Sequence, residues 1–423
     1  MADREQSGWP VAVAATLGMS VSYIDRQTLA AIAPSVRSAL GIDHAQFGWL
    51  LSAFSMAYLV GAPTAGVIVD RLGARRGFAI AVVVWSIVAG AHALVTSFAM
   101  LFALRILLGT AEAPSFPAAA QAIRRSLPRR HRSAALGLLF TGSSLGAMVA
   151  APLALTIEAS FGFRAAFLGT AVVGLLWIPF WLAMTSADRI PKEDADALAE
   201  VDPAQAQSIY RGPEAFTPEK PRWLDVVTSP SVLRALVAVV GSAPAIMFVL
   251  NFSSQYLVER WGMSRADTRW YLVVPPLFFD IGAVGFGWLA SRLENARTGP
   301  DARTPKTHLA LFAFAAFLAS LLVLAPIATS PAIAMLIFGA AGCGGGGIYV
   351  LVTADMLSRV PLDKTSSAGG MTAAAQSLAH IIASPLVGFA IDRTGYSGAL
   401  IGLGLVVIPT SLAFALWPSM RSR

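Results

Sequence analysis

The chain has 423 residues, of which 56% are hydrophobic and 13% are charged, with a net charge of +7 and a mean hydropathy of +0.65. Soluble domains carry about 25% charged residues, and a soluble protein this apolar would expose large hydrophobic patches. Composition therefore excludes a disordered chain, a disulfide-rich secreted module and a nucleic-acid binder. Cys343 is the single cysteine, which excludes a disulfide framework and a cysteine-based metal site. The chain is predicted to be an integral membrane protein.

Twelve stretches are apolar and long enough to be spanning helices, which need about 20 mainly apolar residues. None shows the alternation of polar and apolar residues that barrel strands require. The predicted spans are residues 9–36, 44–69, 77–96, 98–122, 134–157, 165–186, 232–257, 267–290, 307–327, 331–354, 366–390 and 397–417.

Lysine and arginine are distributed unequally between the two sides of these spans. With a cytoplasmic N-terminus, the inner segments hold 22 Lys and Arg residues and the outer loops hold six. Cytoplasmic loops carry an excess of Lys and Arg, so both termini are predicted to be cytoplasmic. A multi-pass protein of a bacterial inner membrane is expected.

A charged, proline-containing stretch over residues 187–231 interrupts the hydrophobic pattern and is predicted to be a cytoplasmic linker. It divides the chain into an N-terminal six-helix bundle (1–186) and a C-terminal six-helix bundle (232–423). An internal repeat supports this division, because Pro152-Leu153 and Gly162-Phe163 recur 233 residues later as Pro385-Leu386 and Gly395-Tyr396. Two six-helix repeats with a binding site between them are typical of secondary transporters.

The loop after the second span reads Gly66-Val-Ile-Val-Asp70-Arg71-Leu-Gly-Ala-Arg75-Arg76. It resembles the signature loop of the major facilitator superfamily, which implies an all-α fold of twelve transmembrane helices in two pseudo-symmetric bundles. Asp70 at a helix end is suited to pair with arginines and stabilise one conformation. The resemblance implies a cytoplasmic gate made of Asp70, Arg71, Arg75 and Arg76.

Three further segments resemble the anion:cation symporter family, which includes bacterial sugar-acid transporters. They are Tyr23-Ile-Asp25-Arg26, Trp85-Ser86 and the stretch from Arg105 through Gly109 and Glu112 to Pro117. The resemblance is dense in the first half and thin in the second, where Phe252-Ser253-Ser254 replaces the family pattern. The match indicates an organic-anion transporter and leaves the particular anion open.

Four Asp, Glu and Arg residues lie within the predicted spans of the N-terminal half, where charges are costly and usually mark a transport route. Arg105 and Glu112 are seven residues apart, so they share one helix face at a separation of about 10 Å, too far to pair directly. Asp25 and Arg26 lie midway along the first span. Arginine binds carboxylates through a planar fork, whereas a carboxylate is able to carry a proton. Alternatively, these four residues form permanent acid–arginine ion pairs that only stabilise the fold.

The family resemblance implies roles for individual residues. Asp25 and Glu112 match the proton-coupling positions, with the proton as coupling ion and no other cofactor. Further candidates for lining the substrate site come from both halves. The predicted substrate-binding residues are Arg26, Tyr58, Arg105, Ser143, Asn251, Gln255, Tyr349, Gln376 and His380. Asp280 is a further carboxylate, and the sequence is compatible either with a place in the substrate site or with a structural role.

We therefore expect a monomeric, proton-coupled symporter of a small organic anion in the lipid bilayer, with no nucleic-acid partner. A spinster-like lysolipid carrier is the nearest alternative, because it shares the Asp-Arg pair and the Arg-x6-Glu spacing. A drug:proton antiporter is disfavoured by the Gly142–Gly146 segment, which lacks the pattern of such proteins. An enzyme is disfavoured because the five histidines are scattered along the chain. A non-transporting sensor stays open.

Overall fold

The computed structural model describes residues 8–127, 129–185, 229–295, 308–359 and 365–417, and these residues are almost entirely helical. Most of the predicted linker, through residue 228, lies outside the described residues. The helices of the first half are α1 (Trp9–Ala31), α2 (Ala33–Leu40), α3 (His44–Leu72), α4 (Ala74–Ala91), α5 (Phe98–Glu112), α6 (Ser115–Ser126), α7 (Arg129–Phe161) and α8 (Phe163–Met184). Those of the second half are α9 (Pro230–Asn251), α10 (Ser253–Trp261), α11 (Arg265–Thr268), α12 (Val274–Asn295), α13 (Leu309–Ser320), α14 (Pro331–Leu357) and α15 (Thr365–Leu416).

Nine helices within these described residues are long and apolar enough to cross a membrane. The first two predicted spans correspond to α1–α2 and to α3. The last two correspond to α15, whose backbone leaves the helical conformation at Gly395. The all-helical prediction is confirmed, while the number of crossings and the side of the termini stay predictions.

Three predicted spans are broken into two helices. The break between α1 and α2 lies at Ile32, that between α5 and α6 at Ala113–Pro114, and that between α9 and α10 at Phe252. Pro114 lacks an amide hydrogen and its ring crowds the preceding turn, so α5 ends just before it. Glu112 is consequently the last residue of α5, beside a discontinuity of the kind that transporters use at their sites.

Two pairs of glycines support the internal repeat. Gly162, between α7 and α8, and Gly395, within α15, have φ of 82° and 68° with ψ of 168° and 178°. Gly41 and Gly262 end α2 and α10 in the left-handed conformation, with φ of 63° and 62°. Positive φ is readily adopted by glycine alone. The two halves therefore turn at equivalent places with equivalent backbone geometry.

The two halves make close backbone contact where α3 begins. A Cβ added to Gly48 would lie 2.2 Å from the carbonyl oxygen of Ser384 in α15. A Cβ added to Gly388 would lie 2.1 Å from the carbonyl oxygen of His44. Small residues permit such close packing of membrane helices. The interface between α3 and α15 is thus closed at this face, which the predicted orientation places outside the cell.

Gly48→Ala is expected to favour the state that is open at this face, because the new methyl group forces α3 away from α15. The measurement is alkylation by a membrane-impermeant maleimide of a cysteine introduced by Ser384→Cys, with Cys343→Ser removing the native thiol. The rate should rise at least tenfold, corresponding to about 1.4 kcal/mol. Gly137→Ala is the matched control, because a Cβ added there meets no described residue within 4 Å apart from its own helical turn. Equal rates in the two alanine variants would contradict the prediction.

Candidate functional site

A buried ion pair joins α1 to α5 at the centre of the first half. Arg26 Nη2 lies 3.0 Å from Glu112 Oε2, and the Ser22 hydroxyl donates to the same oxygen at 2.7 Å. The Glu112 side chain is fully buried, whereas Arg26 is 20% exposed. Arg26 therefore lies between the carboxylate and the open space, and it supplies the partner that Arg105 is too distant to provide.

Aromatic rings surround the Arg26 guanidinium. Its central carbon lies 4.5 Å from the Tyr23 ring centroid, 4.6 Å from Phe54 and 5.0 Å from Tyr58. Phe54 and Tyr58 stack on each other with a centroid distance of 6.1 Å. Cation–π contacts stabilise a guanidinium where water is scarce, by about 0.5–2 kcal/mol each. The rings position Arg26 while leaving its edge available for hydrogen bonds.

Arg105 is a buried cation without a carboxylate partner. Its side chain is 2% exposed and forms no salt bridge with any acidic group in the described part of the chain. The guanidinium carbon lies 4.7 Å from the Phe54 ring centroid, so Arg105 and Arg26 both contact this ring. The Nε hydrogen of Arg105 has no acceptor among the described residues. An unpaired buried guanidinium is costly, so an anionic ligand that pairs with it is strongly favoured.

Asp25 points away from Arg26, although the two residues are adjacent in sequence. Its carboxylate is 3% exposed and faces the side chains of Trp85 in α4 and Thr170 in α8. Neither carboxylate oxygen has a hydrogen-bond partner among the described residues. Asp25 thus faces Trp85 and Thr170 while Glu112 contacts Arg26 and Ser22, and the two carboxylates are close enough for their charges to repel each other.

The remaining predicted lining residues lie in different places. The Ser143 hydroxyl donates to Phe140 O, and the Asn251 amide donates to Met247 O, so both bond to their own helix. Tyr349 and Gln376 are half-buried in the second half. His380 Nε2 has no partner among the described residues, and His380 lies close enough to Arg26 for its ring to feel that charge.

The predicted cytoplasmic gate is described in part. The side chain of Asp70 lies outside the described residues. Arg75 is half-buried and donates to Leu182 O at the end of α8, while Arg71 and Arg76 are exposed. The contact of Arg75 lies within the first half. The gating role of this loop stays a prediction.

A polar cluster that sequence reasoning missed joins the two halves at the closed face. We call it the outer cluster, and it consists of Arg37, His44, Gln255, Glu259, Asp392 and Tyr396. Arg37 Nη1 lies 2.5 Å from Glu259 Oε1 and 3.0 Å from Gln255 Oε1. Gln255, predicted to line the substrate site, therefore binds Arg37 of the opposite half. In the sequence these residues are scattered over predicted loops and the ends of predicted spans, and no spacing relates them.

Other buried polar contacts also escaped the sequence analysis. In the second half, buried Arg234 of α9 pairs with Asp355 of α14. Between the halves, the Ser144 hydroxyl of α7 donates to Asp280 Oδ1 of α12 at 2.6 Å. Asp280 therefore lies at the interface of the two halves. The one signal that pointed to Asp280 was its position as a carboxylate inside a predicted span.

Comparison with known proteins identifies the family. A model described as the Major Facilitator Superfamily matches residues 15–384. The chain belongs to this superfamily. It is similar to the hexuronate transporter of Escherichia coli K12, with 26% identity, covering 98% of this chain and 94% of the relative. It is also similar to the galacturonate transporter of Dickeya chrysanthemi, with 33% identity over 66% of this chain and 81% of the relative.

The fold resembles a solved transporter of the same architecture. That structure is a bacterial homologue of the human lysosomal transporter Spinster in an inward-facing, occupied conformation. The TM-score is 0.75 at 15% sequence identity, with 96% of each chain covered. The predicted superfamily is confirmed, and the protein is an integral membrane transporter rather than an enzyme.

Proposed function

We propose that this transporter is a proton-coupled symporter that imports a sugar acid, of the hexuronate class, across a bacterial inner membrane. The unpaired Arg105 carries the proposal, because a substrate carboxylate would neutralise it without displacing a protein acid. The names of the similar proteins support the class of substrate, since hexuronate and galacturonate are both sugar carboxylates. Arg26 and Tyr58 stand beside Phe54, which contacts Arg105, and they offer hydrogen bonds to the rest of the ligand.

Proton coupling is assigned to Glu112, with Asp25 as a second carrier. An ionised Glu112 accepts hydrogen bonds from Arg26 and Ser22 and holds Arg26 in place. Protonation removes the charge that binds Arg26, so the guanidinium becomes free to contact the ligand. Asp25, Arg26, Arg105 and Glu112 together sum to zero when all are ionised. One added proton leaves +1, which a substrate carboxylate then neutralises.

Alternating access supplies the remaining step. The close contact of α3 with α15 and the outer cluster close one face of the molecule. Rocking of the halves about the central cluster, which consists of Asp25, Arg26, Arg105 and Glu112, would open this face and close the other. The breaks at Ile32, Pro114 and Phe252 provide places at which the helices bend.

The test is uptake of radiolabelled glucuronate and galacturonate into proteoliposomes with an imposed inward proton gradient. Concentrative uptake that collapses on addition of a protonophore is expected. Counterflow of the hexuronate without its accumulation against a gradient would instead indicate a uniporter. Transport of a labelled lysolipid with no uptake of hexuronates would support the lipid-carrier alternative, and binding without any flux would support a sensor. Arg105→Ala in the same liposomes should abolish uptake.

A further inference from the structure

His44 lies at the centre of the outer cluster and contacts both acidic groups of the opposite half. Its Nδ1 atom is 2.6 Å from Asp392 Oδ1, and its Nε2 atom is 2.9 Å from Glu259 Oε2. The Tyr396 hydroxyl lies 3.1 Å from the same Nε2 atom. A neutral imidazole has one N–H and donates to one acceptor, whereas an imidazolium donates from both nitrogens. Both carboxylates are therefore hydrogen-bonded by His44 when it is protonated.

The charges that face His44 come from each element packed against it. Arg37 of α2 is the like charge, with Nη1 2.8 Å from Nε2 and Nη2 3.1 Å from Nδ1. Arginine and a protonated imidazole are both donors, so the N–H groups of the protonated ring are directed to the carboxylates rather than to Arg37. Glu259 of α10 and Asp392 of α15 are the opposite charges. With His44 protonated, the four groups sum to zero, and with His44 neutral they sum to −1. The closed arrangement is thus electrically balanced in the protonated form.

The state of Glu259 is consistent with this balance. Burial raises the pKa of Glu259, but the hydrogen bond and charge of His44 and the charge of Arg37 outweigh it, so the pKa is held below its ordinary value. Glu259 therefore stays ionised under ordinary conditions and is available to His44 as an acceptor.

Opening this face must separate His44 from its partners, because they belong to different halves. His44 and Ala45 also donate their backbone amides to Asp392, so the start of α3 and the middle of α15 move apart together. Once separated, the histidine faces water and no longer donates to either carboxylate, so these contacts no longer hold its proton.

We propose that His44 is a second proton-binding site, whose proton closes the outer face and is not transported. The proposal rests on the alternating-access part of the proposed function and on the predicted orientation. The His44 proton is taken up from the outside and released to the outside. It therefore changes how fast the outer face opens, but not the number of protons transported with each substrate. The sign follows from the contacts: a protonated His44 donates to both carboxylates of the opposite half, so protonation from outside stabilises the closed face and loss of the proton weakens it.

The experiment measures external access to a cysteine introduced by Ser384→Cys in a Cys343→Ser background, with right-side-out vesicles and an impermeant maleimide. Ser384 is buried beneath the outer cluster. Labelling is normalised to a Phe161→Cys variant, because maleimide reacts with the thiolate and Phe161 is 78% exposed. We expect the normalised rate to fall at least about fivefold between pH 8 and pH 5 in the parent. His44→Gln should abolish this pH dependence.

His308→Gln is the matched control, because His308 contacts Glu294 away from the outer cluster, and it should behave as the parent. Glu259→Gln gives a second test if His44→Gln fails to fold, since it removes one acceptor and should reduce the pH dependence. An unchanged pH dependence in either cluster variant would overturn the proposal. His44→Gln should also keep gradient-driven accumulation, and its loss would show that the His44 proton is transported.

Discussion

Replacing Arg105 with lysine is expected to weaken hexuronate binding more than tenfold, which corresponds to about 1.4 kcal/mol. The positive charge remains, but the planar fork that binds both oxygens of a carboxylate is lost. The lysine ammonium is also smaller than the guanidinium, so the contact of the guanidinium with the Phe54 ring is lost. The measurement is substrate protection against thermal unfolding, or isothermal titration calorimetry, with purified protein and glucuronate.

Arg164→Lys is the matched control for this substitution. Arg164 also stacks on a ring, with its guanidinium carbon 4.8 Å from the Phe163 centroid, but it lies at the start of α8 and donates to Val95 O. Affinity should be unchanged in this variant. If Arg105→Lys bound glucuronate with parental affinity, Arg105 would not be the anion-binding residue, and the observation that carries the proposed function would be lost.

Glu112→Gln is expected to separate exchange from accumulation. The glutamine is neutral at every pH and has nearly the same shape as the acid, so it mimics the protonated carrier. Its carbonyl oxygen still accepts from Ser22, and Arg26 is released for the ligand. Counterflow should persist, while uptake driven by a proton gradient should fall to the level of simple equilibration. The two assays are performed in the same preparation of liposomes.

Glu294→Gln provides the control for loss of a carboxylate, because Glu294 pairs with His308 near the end of α12 and lies outside the central cluster. It should keep both activities. If Glu112→Gln still concentrates substrate after a pH step, the coupling proton travels elsewhere. Asp280, which accepts from Ser144, and His380, which lies within the influence of the Arg26 charge, would then be the next residues to test.

Much of the fold was predictable because the lipid bilayer imposes one-dimensional rules. A spanning helix must be apolar for about 20 residues, so the helices follow from hydropathy along the chain. The repeat of Gly162 and Gly395 was visible in sequence, since glycine is the residue that tolerates positive φ. The break after Glu112 follows in the same way from Pro114.

The sequence predicted which residues form the central cluster, but it did not predict which acid pairs with which arginine. Ionisable residues inside spans are conspicuous, so Asp25, Arg26, Arg105 and Glu112 stand out from the sequence alone. Which acid meets which arginine depends on the rotation and depth of α1 against α5, and these follow from packing rather than from spacing. Tertiary structure paired Arg26 with Glu112, left Arg105 without an acid and turned Asp25 toward α4 and α8.

For the outer cluster, in contrast, the sequence predicted neither the members nor their contacts. Sequence by itself determined the class of protein, the helical stretches and the rare charges within them, because a membrane penalises polar groups wherever they occur. Glu259 and Asp392 lie in the predicted loops and His44 is the first residue of a predicted span, and at such positions a charged or polar residue is ordinary and carries no signal. Their contacts join positions more than 200 residues apart in the chain. Only the packing of one half on the other, decided by close approach at Gly48 and Gly388, brought these groups together.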